Sequence, residues 1–224
     1  MAEITAAMVK ELRERTGAGI MDCKNALAEC EGDSEQAVEL IKKKGLAKVA
    51  KKAGAIAAEG VVHAYIHPGS RIGVLAEINC QTDFVARSED FKEFVDLLGM
   101  QIASMGAQYV RRGEVPAADV DKQKEIFAAQ LAEEAAQTGK QKPPQVVEKI
   151  VDGKVDKWLA EVCLEEQPSI TDSDRSIAAL GDELSAKIGE KISVRRFVRY
   201  ELGEGIEKKS ADLAADVAAA LETN

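Results

Sequence analysis

The chain has 224 residues, 46% apolar and 31% charged, the composition of an ordinary globular protein and not of a disordered tail. Its formal charge of -9 argues against direct nucleic-acid binding, which draws its affinity from Lys and Arg that neutralise phosphates and release counterions. Cys23, Cys30, Cys80 and Cys163 are scattered with no Cys-x-x-Cys, Met1-Ala2-Glu3-Ile4-Thr5 has neither a basic nor an apolar leader region, and no apolar run nears the ~18 residues of a membrane span; free thiols and a soluble, cytoplasmic protein are expected.

From Ile4 to about Lys44 the pattern is helical three times over. Thr5 caps a first helix with Met8, Val9 and Leu12 on its apolar stripe, and Thr16-Gly17-Ala18-Gly19 ends it. A second helix starts near Ile20 and carries Met21, Ala26, Leu27 and Cys30. Asp33 then caps a third, with Gln36 at N3 as in a capping box, and Gly45 closes it. Three short helices in about 45 residues make a bundle of the ubiquitin-associated type, whose core is marginal alone and which usually binds something. Arg13, Ile20 and Met21 are its exposed candidates, although Ile20 and Met21 read equally well as core residues of the second helix. Lys42 to Lys52 reads as a solvated helix end and a linker, with a domain boundary near residue 54.

Beyond it the period changes to two. Val61 to Ile66 and Arg71 to Ile78 flank His67-Pro68-Gly69-Ser70, a hairpin signal. The second strand delivers the chain to Thr82-Asp83-Phe84. Thr82 is an N-cap, Asp83 suits the positive end of a helix dipole, and a Phe follows where a small polar residue would be usual. Spacing alone favours a Phe84 packed under its own helix; the rival reading is a projecting probe. Phe91, Phe94, Val95, Leu98 and Ile102 then mark a long amphipathic helix that clamps the turn against the sheet.

Val120, Phe127, Leu131 and Ala135, then Val147, Ile150, Val151 and Val155, form two narrow seams joined by a Gly/Pro loop. They predict a protruding antiparallel helical hairpin at about 116–157, either a stalk or a docking arm, with Trp158 and Leu159 at its base. Val162-Cys163-Leu164 returns the chain to the sheet, Asp174 to Ile188 reads as a helix, Ile192 to Glu201 as a strand, and Gly203-Glu204-Gly205 breaks it. Ser210 caps a last helix with Leu213, Val217 and Leu221 on a thin stripe. The fold class is α+β: a three-helix bundle and linker over 1–54, a core over 55–202 with an antiparallel sheet, packed helices and the hairpin, and a C-terminal helical module over 203–224.

His63 and His67 lie four apart on one strand, roughly 13 Å from each other, too far to share a metal ion. No phosphate loop, dinucleotide turn or nucleophile elbow appears. No metal site and no cofactor are expected, and weight shifts from enzyme to binding protein.

Three blocks carry more than spacing: Met1 to Thr5 running on through Val9 to Lys24, Glu77 to Ala86, and Gly203 to Lys208. In that order they resemble bacterial elongation factor Ts across nearly the whole chain. The resemblance implies a guanine-nucleotide exchange factor for the translational GTPase elongation factor Tu. By position, Arg13, Ile20, Met21 and Lys24 fall where the family's bundle holds helix D of the GTPase, and Asp83 and Phe84, after Thr82, fall where the family reaches beside the Mg²⁺ and phosphate site. Gln101 stands where many members carry His, Ile170 lies in a stretch, Gln167 to Thr171, matching a family contact loop, and Leu213 and Val217 lie on the C-terminal helix that packs on the same GTPase. A single core copy resembles the short form, in which two chains pair as a homodimer. An adaptor that tethers partners without touching nucleotide release is the rival reading.

Overall fold

Side-chain caps start the first and third of three N-terminal helices in the computed structural model, which describes residues 4–51, 54, 56–139 and 142–206. Helix α1 (Ala6–Thr16) begins where Thr5 Oγ1 accepts the Met8 N–H at 3.3 Å and ends at Gly17 in the left-handed conformation. Helix α2 is Ile20–Glu29 and α3 is Ser34–Lys51. The Asp33 carboxylate accepts the N–H groups of Glu35 and Gln36 at 2.9 and 3.0 Å, and Gln36 donates its side-chain amide back to it. Leu12, Cys23, Ala26, Leu27 and Ala37 form the bundle's small core.

The third helix does not end at Gly45. It continues to Lys51, so the helix end expected in the lysine-rich stretch runs through nearly all of it. Helical Gly45 usually costs stability, and here it has a steric reason. A Cβ on Gly45 would lie 2.7 Å from the Ala186 Cβ of a core helix, so the glycine lets the two backbones meet. The bundle is thereby seated on the core.

The core begins with strands β1 (Glu59–Ile66) and β2 (Ile72–Cys80), joined by the expected turn, and closes with β3 (Ser193–Glu201) in an antiparallel sheet of order β1-β2-β3. Val74, Ala76, Ile78 and Cys80 alternate inward along β2 and are buried, as period two requires. Between β2 and β3 the register slips by one at Glu77/Ile78, so that Glu77 faces Arg196 while Ile78 faces Val194. This bulge brings Arg195 and Arg196 together on Glu77, at 2.7 and 2.8 Å. Hydrogen bonds from Arg195, then Arg196, hold the Glu77 carboxyl below the ordinary carboxylate range.

One sheet face is covered by α4 (Asp83–Ala86), α5 (Glu89–Met105) and α8 (Ile177–Ile188). Phe91, Phe94, Val95, Leu98 and Ile102 of α5 are all buried there. Gly99 lets α5 settle on β1, since a Cβ would come within 2.8 Å of the Tyr65 Cβ. Among the described residues nothing covers the opposite face, and Val62, Ile66, Leu75, Val198 and Tyr200 are exposed on it.

The hairpin consists of α6 (Ala117–Thr138) and α7 (Pro144–Val162). Leu131, Val151, Val155 and Leu159 fill its seam, with Phe127, Val147 and Trp158 partly buried beside them. Val162 belongs to α7 and not to a strand; Cys163 makes only an isolated bridge to Tyr109 before a single 3-10 turn, Leu164–Glu166. Arg112 ties the base, donating to Asp156 and Glu166 at 2.7 Å each. Helix α8 starts three residues later than the pattern suggested, because Ser176 is the N-cap and accepts the Ala179 N–H. The expected C-terminal helix, with Leu213 and Val217, lies outside the described residues. Among the described residues no helix is long and apolar enough to cross a membrane.

Candidate functional site

The strand-to-helix turn after β2 is built from buried groups outward. Cys80 ends the strand fully buried, and its Sγ donates to the Thr82 carbonyl at 3.1 Å. Burial pushes the Cys80 thiol up, with the nearby Glu190 carboxylate adding to it, so the sulfur stays protonated and able to donate. Thr82 is extended and is the N-cap of α4, its Oγ1 accepting the Val85 N–H at 3.5 Å. Val85 points into the core. Phe84, one residue back and about 100° round the helix, therefore points out and is 82% exposed. The spacing reading of Phe84 as packed under its own helix is overturned and the projecting one holds; Val85, with partly buried Ala86 beside it, takes the side of the helix that faces the core. Beside it Asp83 pairs with Arg87 at 3.1 Å.

A carboxylate from the far end of the core clamps this turn. Glu190 Oε2 accepts the N–H groups of Gln81 and Thr82 at 3.1 and 3.0 Å, and Oε1 accepts the Thr82 hydroxyl at 2.8 Å. Glu190 was not recognisable in the sequence as part of the turn. Gly189-Glu190-Lys191 marks a helix-to-strand joint, but only the β2–β3 register, with Asn79 opposite Ser193, reveals that the joint lies beside Thr82.

The bundle residues form a second group. Arg13, Ile20 and Lys24 line one groove of about 400 Å³ together with Ile4, Val9 and Lys10. Ile20 and Met21 are 56% and 64% exposed, so the core reading of both is wrong: Cys23, Ala26 and Leu27 occupy the buried face of α2. Met21 is adjacent to the groove residues in sequence but is not part of its lining. An apolar floor edged by cations suits the face of an amphipathic, acidic helix.

Gln101 and Ile170 form the third. Gln101 is 0% exposed and does not reach the surface. Its Nε2 donates to Gln167 Oε1 and to the Pro168 carbonyl, both at 3.1 Å, and its Oε1 accepts the Ile170 N–H at 2.9 Å. Gln167, also buried, donates to the Glu161 carbonyl at 2.7 Å. As a direct contact Gln101 is excluded by burial; it is the support that holds half-exposed Ile170 in place.

The thiols divide by access. Cys23, Cys80 and Cys163 are fully buried and Cys30 only partly so. In the folded protein a thiol reagent should modify Cys30 first and the other three only on unfolding, roughly at the rate of global opening. Mass mapping of alkylated peptides checks this, and rapid native labelling of Cys80 would contradict the turn described above.

A family model described as elongation factor TS matches residues 7–204. A protein named Elongation factor Ts from Desulforamulus reducens is 58% identical over 222 residues, 99% of this chain and 100% of the relative. Its namesake from Carboxydothermus hydrogenoformans is 57% identical over 221 residues, 99% of each chain. That from Geobacter sulfurreducens is 54% identical over 217 residues, 97% of this chain and 98% of the relative.

Proposed function

The chain belongs to the elongation factor Ts family, and from that premise we propose that it is a guanine-nucleotide exchange factor that binds elongation factor Tu with GDP, disturbs the Mg²⁺ and phosphate site and speeds GDP release so that GTP can rebind. The observation that carries this reading is an aromatic ring held 82% exposed, beside a carboxylate, on a turn fixed at its base. A GTPase holds GDP through phosphate-loop amides and Mg²⁺. A ring pressed between its helices turns those amides away, and a carboxylate competing for nearby backbone N–H groups loosens the metal, without a bond being cut. The protein itself would catalyse no covalent step. Coupling is reciprocal, so returning nucleotide displaces the factor.

In this reading Arg13, Ile20, Met21 and Lys24 hold a helix of the GTPase, Phe84 and Asp83 act on the nucleotide site, and Ile170 adds a contact that Gln101 supports. Leu213 and Val217 would pack on the same GTPase. Stopped-flow release of a fluorescent GDP analogue from elongation factor Tu, with and without free Mg²⁺, tests it. Tight binding with no acceleration would establish the adaptor reading instead.

The sheet face that no described residue covers supports a homodimer. A solvated sheet face is normally polar, whereas here Ala64, Leu75 and Val198 line up across three strands, with Ile66 and Tyr200 beside them. Two copies pairing these faces about a twofold axis would make a sandwich and bury both. Leu75→Lys should raise the dimer dissociation constant by at least about tenfold with little change in monomer stability, since Leu75 points away from the core. Sedimentation velocity checks it; a wild-type monomer at micromolar concentration would end the paired reading.

A further inference from the structure

We infer that Glu190 is the positioning residue of the exposed Phe84 turn, and that through α8 it fixes this turn relative to the N-terminal bundle. The inference rests on the exchange-factor reading above. An α-helix of four residues cannot sustain itself, because nucleation costs more than its few hydrogen bonds return. Phe84 contributes nothing to holding that helix, being exposed. The turn's rigidity must then come from its neighbours, and the strongest of these is a carboxylate accepting two backbone N–H groups and a hydroxyl.

Glu190 is itself held. Gly189 caps α8, donating its N–H to the Ser185 carbonyl at 2.8 Å, and the Ile192 N–H donates to Ser185 Oγ at 3.1 Å across the joint. Ser185 is buried. The same last turn of α8 meets the bundle. Ala186 is the residue against which Gly45 of α3 packs, and Lys187 pairs with Asp90 at the start of α5 at 2.7 Å. Within six residues, 185–190, α8 thus contacts the bundle, the long core helix and the Phe84 turn. A partner gripped in the bundle groove meets Phe84 at a set separation because this short segment links the two. A wedge works only if it is stiff where it is anchored, so removing the anchor should weaken its action and not the grip.

The test compares wild type, Phe84→Ala, Glu190→Ala and Glu190→Gln in two measurements. In stopped-flow GDP release from elongation factor Tu, Glu190→Ala should lower the rate at saturating factor about tenfold while the half-saturating concentration stays within about twofold. Glu190→Gln keeps one accepting oxygen for the two N–H groups and should recover part of the loss. In amide hydrogen exchange, Glu190→Ala should deprotect Val85 and Ala86 while Ile78 and Leu98 keep their protection. If Glu190→Ala does not fold, Glu190→Gln carries both measurements, with a smaller rate loss and partial deprotection. Unchanged exchange at Val85 and Ala86 overturns the positioning role whatever the release assay gives. Wild-type release rates in the Glu190 variants, with Phe84→Ala impaired, overturn it and leave the exchange-factor reading standing. If wild type itself does not accelerate release, that reading falls first and the inference with it.

Discussion

Replacing Phe84 with Ala should leave the protein folded and slow its stimulated GDP release from elongation factor Tu by about a hundredfold, equivalent to roughly 3 kcal/mol. Phe84 is 82% exposed, so its loss removes almost no native contact and should change unfolding free energy by no more than about 0.5 kcal/mol. On a partner, full burial of a Phe ring contributes about 1.5–3 kcal/mol from area alone, and a central aromatic anchor adds packing to that. If the ring acts chiefly as the nucleotide leaves, its removal lowers the saturating rate and scarcely moves the half-saturating concentration. Stopped-flow traces over a range of factor concentrations separate the two quantities. A variant that releases GDP as fast as wild type removes the wedge from the mechanism.

The second large effect is expected at Gln101. Gln101→Leu fills nearly the same volume but strands the Ile170 N–H and loses the donor to Gln167 Oε1 and the Pro168 carbonyl. Each unsatisfied buried group costs about 1–3 kcal/mol, so a loss of roughly 3 kcal/mol in urea unfolding is expected, with partial relief if the 167–172 segment opens to water. The relief has its own signature: faster proteolysis or hydrogen exchange confined to that segment. A Gln101→Leu variant as stable as wild type would mean the network is dispensable. Gln101→Ala should cost at least as much, because it adds a cavity.

Legibility in the sequence followed the range of the interaction. Caps at Thr5, Asp33 and Thr82 depend on residues two or three apart, and each lies where its pattern puts it. The β1–β2 hairpin and the seams of α6 and α7 are periodic signals, equally local. Gly45 misled because a glycine in a helix is read as an ending, whereas its cause lies at Ala186, about 140 residues away. The bulge that gathers Arg195 and Arg196 on Glu77 changes no propensity and leaves no mark in composition. In the candidate site, spacing alone favoured a packed Phe84 and left Ile20 and Met21 open between core and surface, and the family resemblance pointed to the side chains that project. The ones that hold them, Glu190 and Gln167, were not legible, because a glutamate and a glutamine in loop segments look like ordinary solvated residues until the register is known.

The contact at the base of the hairpin bears on how the chain assembles. Strand β3 pairs with β2 across roughly 110 intervening residues, a costly closure for a domain of this size. The α6–α7 hairpin, a local structure, forms on its own short timescale and brings Tyr109 beside Cys163, where Val162's carbonyl accepts the Gln108 and Tyr109 N–H groups. With that junction made, the open loop that β3 must still close falls to about half its length, a saving of about 0.6 kcal/mol and a few-fold in rate. The protruding arm is then also a shortcut in the folding path, a use that needs no partner at all.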